Sequence, residues 1–134
     1  MAVIDASVYI SLVNAHEIHH ADSWAWFQQA IDYDEIIVAP VILLAEVAAG
    51  LSRGTRNVEL AHNVVQQLLD GDLIKLYPIT QNLAEQAAKI SADHKIRGCD
   101  AIYVALAESL EDYLVTLDNQ QLNRGASVVT TRKP

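Results

Sequence analysis

The chain has 134 residues, of which 51% are hydrophobic, and it carries a formal net charge of −8. This length predicts a single domain spanning residues 1–134, and the acidic balance argues against nucleic-acid binding driven by Lys and Arg alone. A single cysteine excludes an internal disulfide, and no apolar run reaches the ~18 residues that span a bilayer, so we expect a cytoplasmic protein without a membrane segment.

Short apolar runs and helical spacings alternate along the chain, which predicts strands that alternate with helices. The predicted strands cover residues 2–4, 36–39, 73–77, 113–117 and 127–130. The predicted helices cover residues 7–13, 21–31, 41–51, 55–69, 80–94, 100–110 and 119–124, with Thr55 and Thr80 as caps. Residues 131–134 are expected to form a frayed basic tail. This alternation indicates an α/β fold with a parallel sheet and helices on both faces.

This topology brings four carboxylates to one edge of the sheet. Asp5 and Asp118 each follow a predicted strand, Asp100 opens a helix that leads into the second of these strands, and Glu46 lies early in a helix after another strand. Open parallel sheets bind ligands outside the carboxyl ends of their strands. Clustered carboxylates need a cation to stay ionised, and oxygen ligands suit Mg²⁺ or Mn²⁺. Such a site favours phosphodiester hydrolysis.

Each carboxylate also has a simpler explanation. Asp5, Asp100 and Asp118 stand where an aspartate at a helix cap or in a first helical turn is favoured. Glu46 is the only charge in the apolar helix over residues 41–51, and Arg53 offers it a structural partner. The functional interpretation depends on the convergence of all four residues.

Four segments in register resemble a known family. They are VIDAS at residues 3–7, LLAEVAAGL at 43–51, CDAIYVALA at 99–107 and LVTLDNQQL at 114–122. Together they resemble PIN-domain nucleases, and most of all the VapC-type toxin ribonucleases of toxin–antitoxin systems. The resemblance implies a three-layer α/β/α sandwich and an endoribonuclease that depends on Mg²⁺ or Mn²⁺. It also implies an acidic site composed of Asp5, Glu46, Asp100 and Asp118.

The same resemblance assigns roles within this site. The three aspartates would bind metal directly or through water, and the glutamate would hold a metal-bound water or complete a second site. Two hydroxyl side chains, Ser7 and Thr116, would orient Asp5 and Asp118. Water would attack phosphorus in line and leave a 5′-phosphate and a 3′-hydroxyl.

Basic residues near these segments are candidates for holding substrate phosphates. Arg53 and Arg56 follow the Glu46 helix, and Lys95 and Arg97 precede Asp100. At the rim of the site they would bind the RNA backbone beside the metal. The alternative is that they are solvated surface charges.

Partners follow from the apolar helices and from the charge. The helices over residues 41–51 and 55–69 carry more apolar surface than a monomer needs, which predicts a homodimer and a groove for a cognate antitoxin. A basic antitoxin segment would suit the net charge of −8. Transfer, ribosomal and messenger RNA are all open as substrates. The competing hypothesis is a non-catalytic PIN-like module that binds a protein or RNA without cleaving it.

Other candidate sites are weaker. A zinc site at His16, His19, His20 and Asp22 lacks any cysteine and lies in a polar loop. The acidic neighbour of Cys99 disfavours a nucleophilic thiolate, so we expect Cys99 to be a small packing residue. Among the aromatic residues, Trp24 and Phe27 are expected to pack into the core or a dimer face. Trp26 is the exposed candidate for stacking on bases.

Overall fold

A computed structural model describes all 134 residues as a five-stranded sheet flanked by seven helices. The strands are β1 (Ala2–Ile4), β2 (Ile37–Pro40), β3 (Ile74–Tyr77), β4 (Tyr113–Val115) and β5 (Thr131–Arg132). The helices are α1 (Ala6–Val13), α2 (His20–Asp32), α3 (Ile42–Thr55), α4 (Val58–Asp70), α5 (Gln81–His94), α6 (Gly98–Ser109) and α7 (Asn119–Gly125). None of these helices combines the length and the apolar character that crossing a membrane requires.

The strand order is β3-β2-β1-β4-β5, and every neighbouring pair is parallel. The chain moves outward from β1 to β3 and then crosses back to β4. Right-handed crossovers therefore place α1 to α4 on one face and α5 to α7 on the other. This is the predicted three-layer α/β/α sandwich. The direction of the strand order reverses between β1 and β4, and ligands of open sheets bind at such a switch point.

The core lies on both sides of the central strands. All three residues of β1 are fully buried, and α6 packs across β1, β2 and β4. On α3, the buried residues Leu43, Val47 and Leu51 recur every four positions and form one apolar stripe. This packing holds the carboxyl ends of β1 and β4 in fixed positions beside α3 and α6.

Two helix starts differ from their prediction. Helix α3 continues through Thr55, whose hydroxyl donates a 2.6 Å hydrogen bond back to the Leu51 carbonyl. Asn57 caps α4 instead, since its side chain accepts from the Leu60 backbone N–H at 3.0 Å.

Helix α6 begins at Gly98, so that Asp100 lies in its first turn. The predicted cap at Thr80 is confirmed by its hydrogen bond from the Leu83 N–H.

The last strand also lies elsewhere. Strand β5 comprises Thr131–Arg132, within the segment predicted to be a frayed tail, and pairs with β4. The predicted segment, residues 127–130, begins as a turn, because the N–H groups of Ser127 and Val128 bond back to carbonyls of the preceding helix. The Arg132 guanidinium lies 3.7 Å from the centre of the Tyr113 ring, which fixes this strand against its neighbour.

The prediction for Trp26 on α2 is wrong, whereas Phe27 is partly buried and packs against the core. The buried residues of this helix are Ser23, Trp26 and Ala30, so Trp26 packs into the core and is not the exposed candidate. Trp24 is 45% exposed, stacks on His20 and lies beside the tilted ring of Phe27. The buried stripe is thus rotated about the helix relative to the one predicted from Trp24 and Phe27.

Candidate functional site

A crevice of about 680 Å³ opens at the carboxyl ends of β1 and β4. All four predicted acidic residues line it, and each is carried by a different element. Asp5 follows β1, Asp118 follows β4, Glu46 projects from α3 and Asp100 projects from the first turn of α6. The parallel topology therefore brings these four side chains into one place.

Asp5 is the most enclosed of the four, with 3% of its surface exposed. Its Oδ1 accepts hydrogen bonds from the Ser7 hydroxyl at 2.6 Å and the Val8 N–H at 3.2 Å. Its Oδ2 accepts from the Thr116 hydroxyl at 2.6 Å and from Gln121 Nε2 at 3.0 Å. Since a carboxylate offers about four lone-pair positions, these donors occupy all of them.

Burial raises the pKa of Asp5 to about 6, from an ordinary value of 3.8. The hydrogen bonds from Ser7, Thr116 and Val8 oppose this rise in pKa, and the nearby charge of Asp100 adds to it. A carboxyl group with such a pKa gains or loses its proton close to neutral pH. Perturbed groups of this kind cluster at functional sites, although structural networks also produce them.

The hydroxyls of Ser7 and Thr116 connect Asp5 to the segment that carries Asp118. Ser7 Oγ accepts from the Leu117 N–H at 3.0 Å while donating to Asp5. Thr116 Oγ1 accepts from the Asp118 N–H at 3.0 Å while also donating to Asp5. Each hydroxyl therefore links the carboxyl end of β1 to the carboxyl end of β4.

Asp100 and Asp118 share one basic partner. Arg97 Nε donates to Asp100 Oδ2 at 2.7 Å, and Arg97 Nη2 donates to Asp118 Oδ2 at 3.4 Å. The hydrogen bond to Asp100 is the main reason that the pKa of Arg97 lies above its ordinary value. The Arg97 side chain is 69% exposed, so it covers the carboxylates from the solvent side of the crevice.

These residues fit a cation held by two carboxylates. No three His, Cys, Asp or Glu side chains approach closely enough, as arranged here, to enclose a metal ion by themselves. Two outward oxygens, Asp100 Oδ2 and Asp118 Oδ2, nevertheless converge on one guanidinium. Mg²⁺ commonly takes one or two carboxylates and keeps several waters. An ion of this kind would replace the guanidinium, while Asp5, with both oxygens hydrogen-bonded, would contribute charge.

Glu46 is held by a tyrosine. The Tyr103 hydroxyl donates to Glu46 Oε2 at 2.5 Å, and Tyr103 itself is fully buried. Burial, followed by the hydrogen bond to Glu46, raises the pKa of Tyr103 well above its ordinary value, so the hydroxyl remains a donor. No salt bridge joins Glu46 to Arg53, which was the structural alternative for this residue.

Two further residues that bind the acidic side chains of the crevice, Tyr103 and Gln121, are not among those predicted from the sequence. Tyr103 follows Asp100 by three positions on α6, a spacing that places both side chains on one helix face. Gln121 follows Asp118 by three positions, which is the spacing of a capping box. Its amide does not return to the cap residue, because the Asp118 N–H already donates to Thr116. It reaches Asp5 and Asp100 instead.

The four basic candidates divide into two pairs. Arg53 and Arg97 line the crevice, whereas Arg56 and Lys95 do not. Arg56 and Lys95 each end a helix in the left-handed conformation, with φ values of 54° and 56°. The Lys95 carbonyl accepts a hydrogen bond from Arg124, so this turn is fixed by its backbone. Only Arg53 and Arg97 are therefore placed to meet a phosphate in the crevice.

The remaining candidates have other surroundings. Cys99 is exposed and lines the crevice, so the prediction that it is a packing residue is wrong. Its place at the start of α6 turns its side chain out of the core. The loop histidines form no metal-binding group, and His20 Nδ1 lies 2.7 Å from the Ser11 carbonyl oxygen.

Among the solved structures with the same fold are a toxin and a toxin–antitoxin complex. The Mycobacterium tuberculosis toxin VapC20, which cleaves the sarcin-ricin loop, is 17% identical, with a TM-score of 0.79 over 100% of both chains. VapBC2 from Rickettsia felis, bound to promoter DNA, is 13% identical, with a TM-score of 0.74 over 99% of this chain and 98% of that one. A toxin–antitoxin complex from Klebsiella pneumoniae is 18% identical, with a TM-score of 0.64 over 91% and 90%.

At these identities the likeness establishes the fold alone. No curated protein sequence matches the chain. The sequence model of the PIN domain, however, matches residues 2–126, which is nearly the whole chain and includes every residue of the acidic crevice. The chain therefore belongs to the PIN domain family.

Proposed function

We propose that this protein is an endoribonuclease that requires Mg²⁺ or Mn²⁺ and acts as the toxin of a toxin–antitoxin pair. The observation that carries the proposal is the convergence of Asp100 Oδ2 and Asp118 Oδ2 on the single guanidinium of Arg97. Two carboxylates that share one exposed cation suit exchange of that cation for a divalent ion. Family membership supports this, because PIN-domain nucleases are generally hydrolases that act on nucleic acids.

The residues of the crevice suit hydrolysis by water. A divalent ion held by Asp100 and Asp118 would offset the negative charge that develops on a phosphodiester under attack. Arg97, released from the two aspartates, would then bind a phosphate oxygen together with Arg53. Glu46 Oε1 has no hydrogen bond within the protein, so it would accept one from the attacking water. Cleavage of the bond to the 3′ oxygen would leave a 3′-hydroxyl and a 5′-phosphate.

An antitoxin partner follows from the charge of the crevice. The chain carries 17 acidic and 9 basic side chains, and two aspartates of the crevice, Asp100 and Asp118, share one arginine. A basic antitoxin segment would compete with Arg97 for these carboxylates and would block the substrate. A structure of the same fold from Klebsiella pneumoniae is a toxin–antitoxin complex, which supports an antitoxin partner.

We also propose that the protein is a homodimer. Helix α4 exposes Val58 and Leu69 at 59% and 55%, and Leu73 just beyond the helix is 65% exposed. Val58 and Leu69 stand at opposite ends of α4, and exposed apolar side chains along one helix suit contact with a second protein chain. The molar mass measured by light scattering after size exclusion should correspond to two chains. A single chain at high protein concentration would overturn the dimer.

The nuclease activity is tested by incubating the purified protein with a mixed RNA pool in Mn²⁺. Asp118→Asn should reduce cleavage at least about a hundredfold, because it removes one of the two outward carboxylates and leaves a neutral cap. EDTA should abolish cleavage in the wild type. The matched control is Asp93→Asn, since Asp93 is exposed on α5, outside the crevice.

Three results have different meanings. Cleavage that is lost with Asp118→Asn and EDTA but retained with Asp93→Asn would support the proposed site. Cleavage that survives Asp118→Asn would point to a contaminating nuclease. If the wild type neither cleaves RNA nor gains thermal stability in Mn²⁺, a non-catalytic binding module becomes the better interpretation.

A further inference from the structure

One buried residue contacts three aspartates of the crevice. Gln121 is 2% exposed and lies in the first turn of α7. Its backbone N–H donates to Asp118 Oδ1 at 2.9 Å. Its side-chain Nε2 donates to Asp5 Oδ2 at 3.0 Å and to Asp100 Oδ1 at 3.1 Å. The amide therefore lies between two carboxylates of like charge and donates one hydrogen bond to each.

The other end of this amide has no partner. Gln121 Oε1 is the only buried side-chain nitrogen or oxygen in the chain that lacks a hydrogen bond. Buried acceptors without partners are unfavourable and rare in folded proteins. An apolar side chain of the same length would remove the unpaired oxygen but would leave Asp100 Oδ1 without its donor. Filling the core is therefore a poor explanation for a glutamine at this position.

The hydrogen bonds of Gln121 determine which carboxylate oxygens remain free. Its Nε2 binds Asp100 Oδ1, and its backbone N–H binds Asp118 Oδ1. The Oδ2 atoms of Asp100 and Asp118 are the ones that meet Arg97. Gln121 therefore holds the inner oxygen of each aspartate and leaves the outer oxygen facing the crevice.

We propose that Gln121 is the positioning residue of the metal site, which sets the orientation of Asp100 and Asp5 for a divalent cation. This inference rests on the proposed function, since it concerns the affinity for Mg²⁺ or Mn²⁺. Hydrogen-bond partners of metal ligands commonly change metal affinity by about 10- to 100-fold when they are removed. Gln121 acts through the aspartates and needs no contact with the RNA.

The test compares Gln121→Met with Gln120→Met. Methionine has the length of glutamine and adapts to buried space, but it lacks the amide donors. Gln120 is exposed on the same helix and does not line the crevice, so it controls for changes in α7 itself. The dissociation constant of Mn²⁺ is measured by electron paramagnetic resonance of the free ion, and the melting temperature without metal is measured beside it. Gln121→Met should raise the dissociation constant roughly tenfold or more, and Gln120→Met should leave it within about twofold.

A second measurement does not require the variant to fold. In wild-type protein labelled with ¹⁵N, the side-chain amide signals of Gln121 should shift on titration with Mg²⁺, and those of Gln120 should not. Unchanged Mn²⁺ affinity in Gln121→Met, or Gln121 amide signals that stay fixed while the wild type binds Mg²⁺, would overturn the inference and leave the proposed nuclease intact. A wild type that binds neither ion would overturn the proposed function, and this inference with it.

Discussion

The two ends of β4 carry polar groups in opposite electrostatic arrangements. At the amino end, Tyr113 donates its hydroxyl hydrogen to Glu35, and the guanidinium of Arg132 lies over the tyrosine ring. One acid and one base are thus matched around a half-buried ring. At the carboxyl end, Asp100 and Asp118 share one exposed arginine, Arg97, and the buried Asp5 is linked to Asp100 through the side-chain amide of Gln121.

The groups at the amino end stabilise the fold with balanced charge. The groups at the carboxyl end carry more negative charge than the fold requires. At the amino end, burial raises the pKa of Tyr113 to about 12, which keeps the hydroxyl neutral and able to donate. At the carboxyl end, burial raises the pKa of Asp5 to about 6, so a charged group is held there at neutral pH against its desolvation. Such an arrangement supports the proposed cation at the carboxyl end.

The largest effect is expected for Asp5→Asn, which removes the buried charge at the carboxyl end of β1. The pKa of the Asp5 carboxyl lies at about 6 in the folded protein, above its ordinary 3.8. Protonation of this carboxyl therefore stabilises the folded state. The stabilisation is fully present below the ordinary pKa and is lost as the pH rises through 6. This loss is at most about 3 kcal/mol. In EDTA, the free energy of unfolding of Asp5→Asn should therefore increase relative to that of the wild type as the pH rises. In Mn²⁺, the same variant should lose RNA cleavage.

Urea unfolding of both proteins in EDTA, between about pH 4 and 8, measures this difference. Asp93→Asn serves as the control, because its exposed carboxyl lies outside the crevice. Parallel pH profiles for the wild type and Asp5→Asn would show that the buried carboxyl does not titrate in this range, and would contradict the prediction.

Arg97→Glu reverses the only charge that offsets Asp100 and Asp118. The variant should bind RNA more than about tenfold more weakly, because Arg53 is then the only basic side chain that lines the crevice. Its fold should be retained, since the side chain is 69% exposed. Fluorescence anisotropy with labelled RNA in EDTA measures the affinity without cleavage.

Arg56→Glu makes the same change of charge outside the crevice and serves as the control. An equal loss of affinity in both variants would assign the effect to net charge. Unchanged affinity in Arg97→Glu would remove Arg97 from the phosphate site.

Tyr103→Phe and Tyr113→Phe remove matching hydroxyl groups, one beside the crevice and one at the amino end of β4. Each variant loses one hydroxyl that donates to a glutamate, Glu46 or Glu35. Each should lower the free energy of unfolding by about 1 kcal/mol. Only Tyr103→Phe should also slow RNA cleavage, by roughly fivefold, because Glu46 then lacks the donor that orients it. The measurements are the kcat for RNA cleavage and the thermal unfolding of both variants. If the two variants have the same kcat, Tyr103 has a purely structural role.

Much of the fold could be predicted from local sequence. Buried strands such as Ala2–Ile4 are recognised by their lack of polar residues, and the alternation of strands and helices implies a parallel sheet. Errors occurred where two local signals compete. Thr55 and Asn57 both suit a cap, and the chain uses Asn57 because the Thr55 hydroxyl bonds back within α3. Strand β5 depends on pairing with β4, which no local pattern reveals.

The convergence of four carboxylates at one edge of the sheet could be predicted from the amino-acid order, because parallel strands end on the same side and a carboxylate follows two of them. Which carboxylate oxygen faces which partner depends on the packing of the folded chain. Gln121 reads locally as a helix-capping residue, yet its amide lies between Asp5 and Asp100. The physical reason is that hydrogen bonds between distant elements depend on distances and side-chain orientations set by the packing of α6 and α7, and local sequence spacing does not encode them.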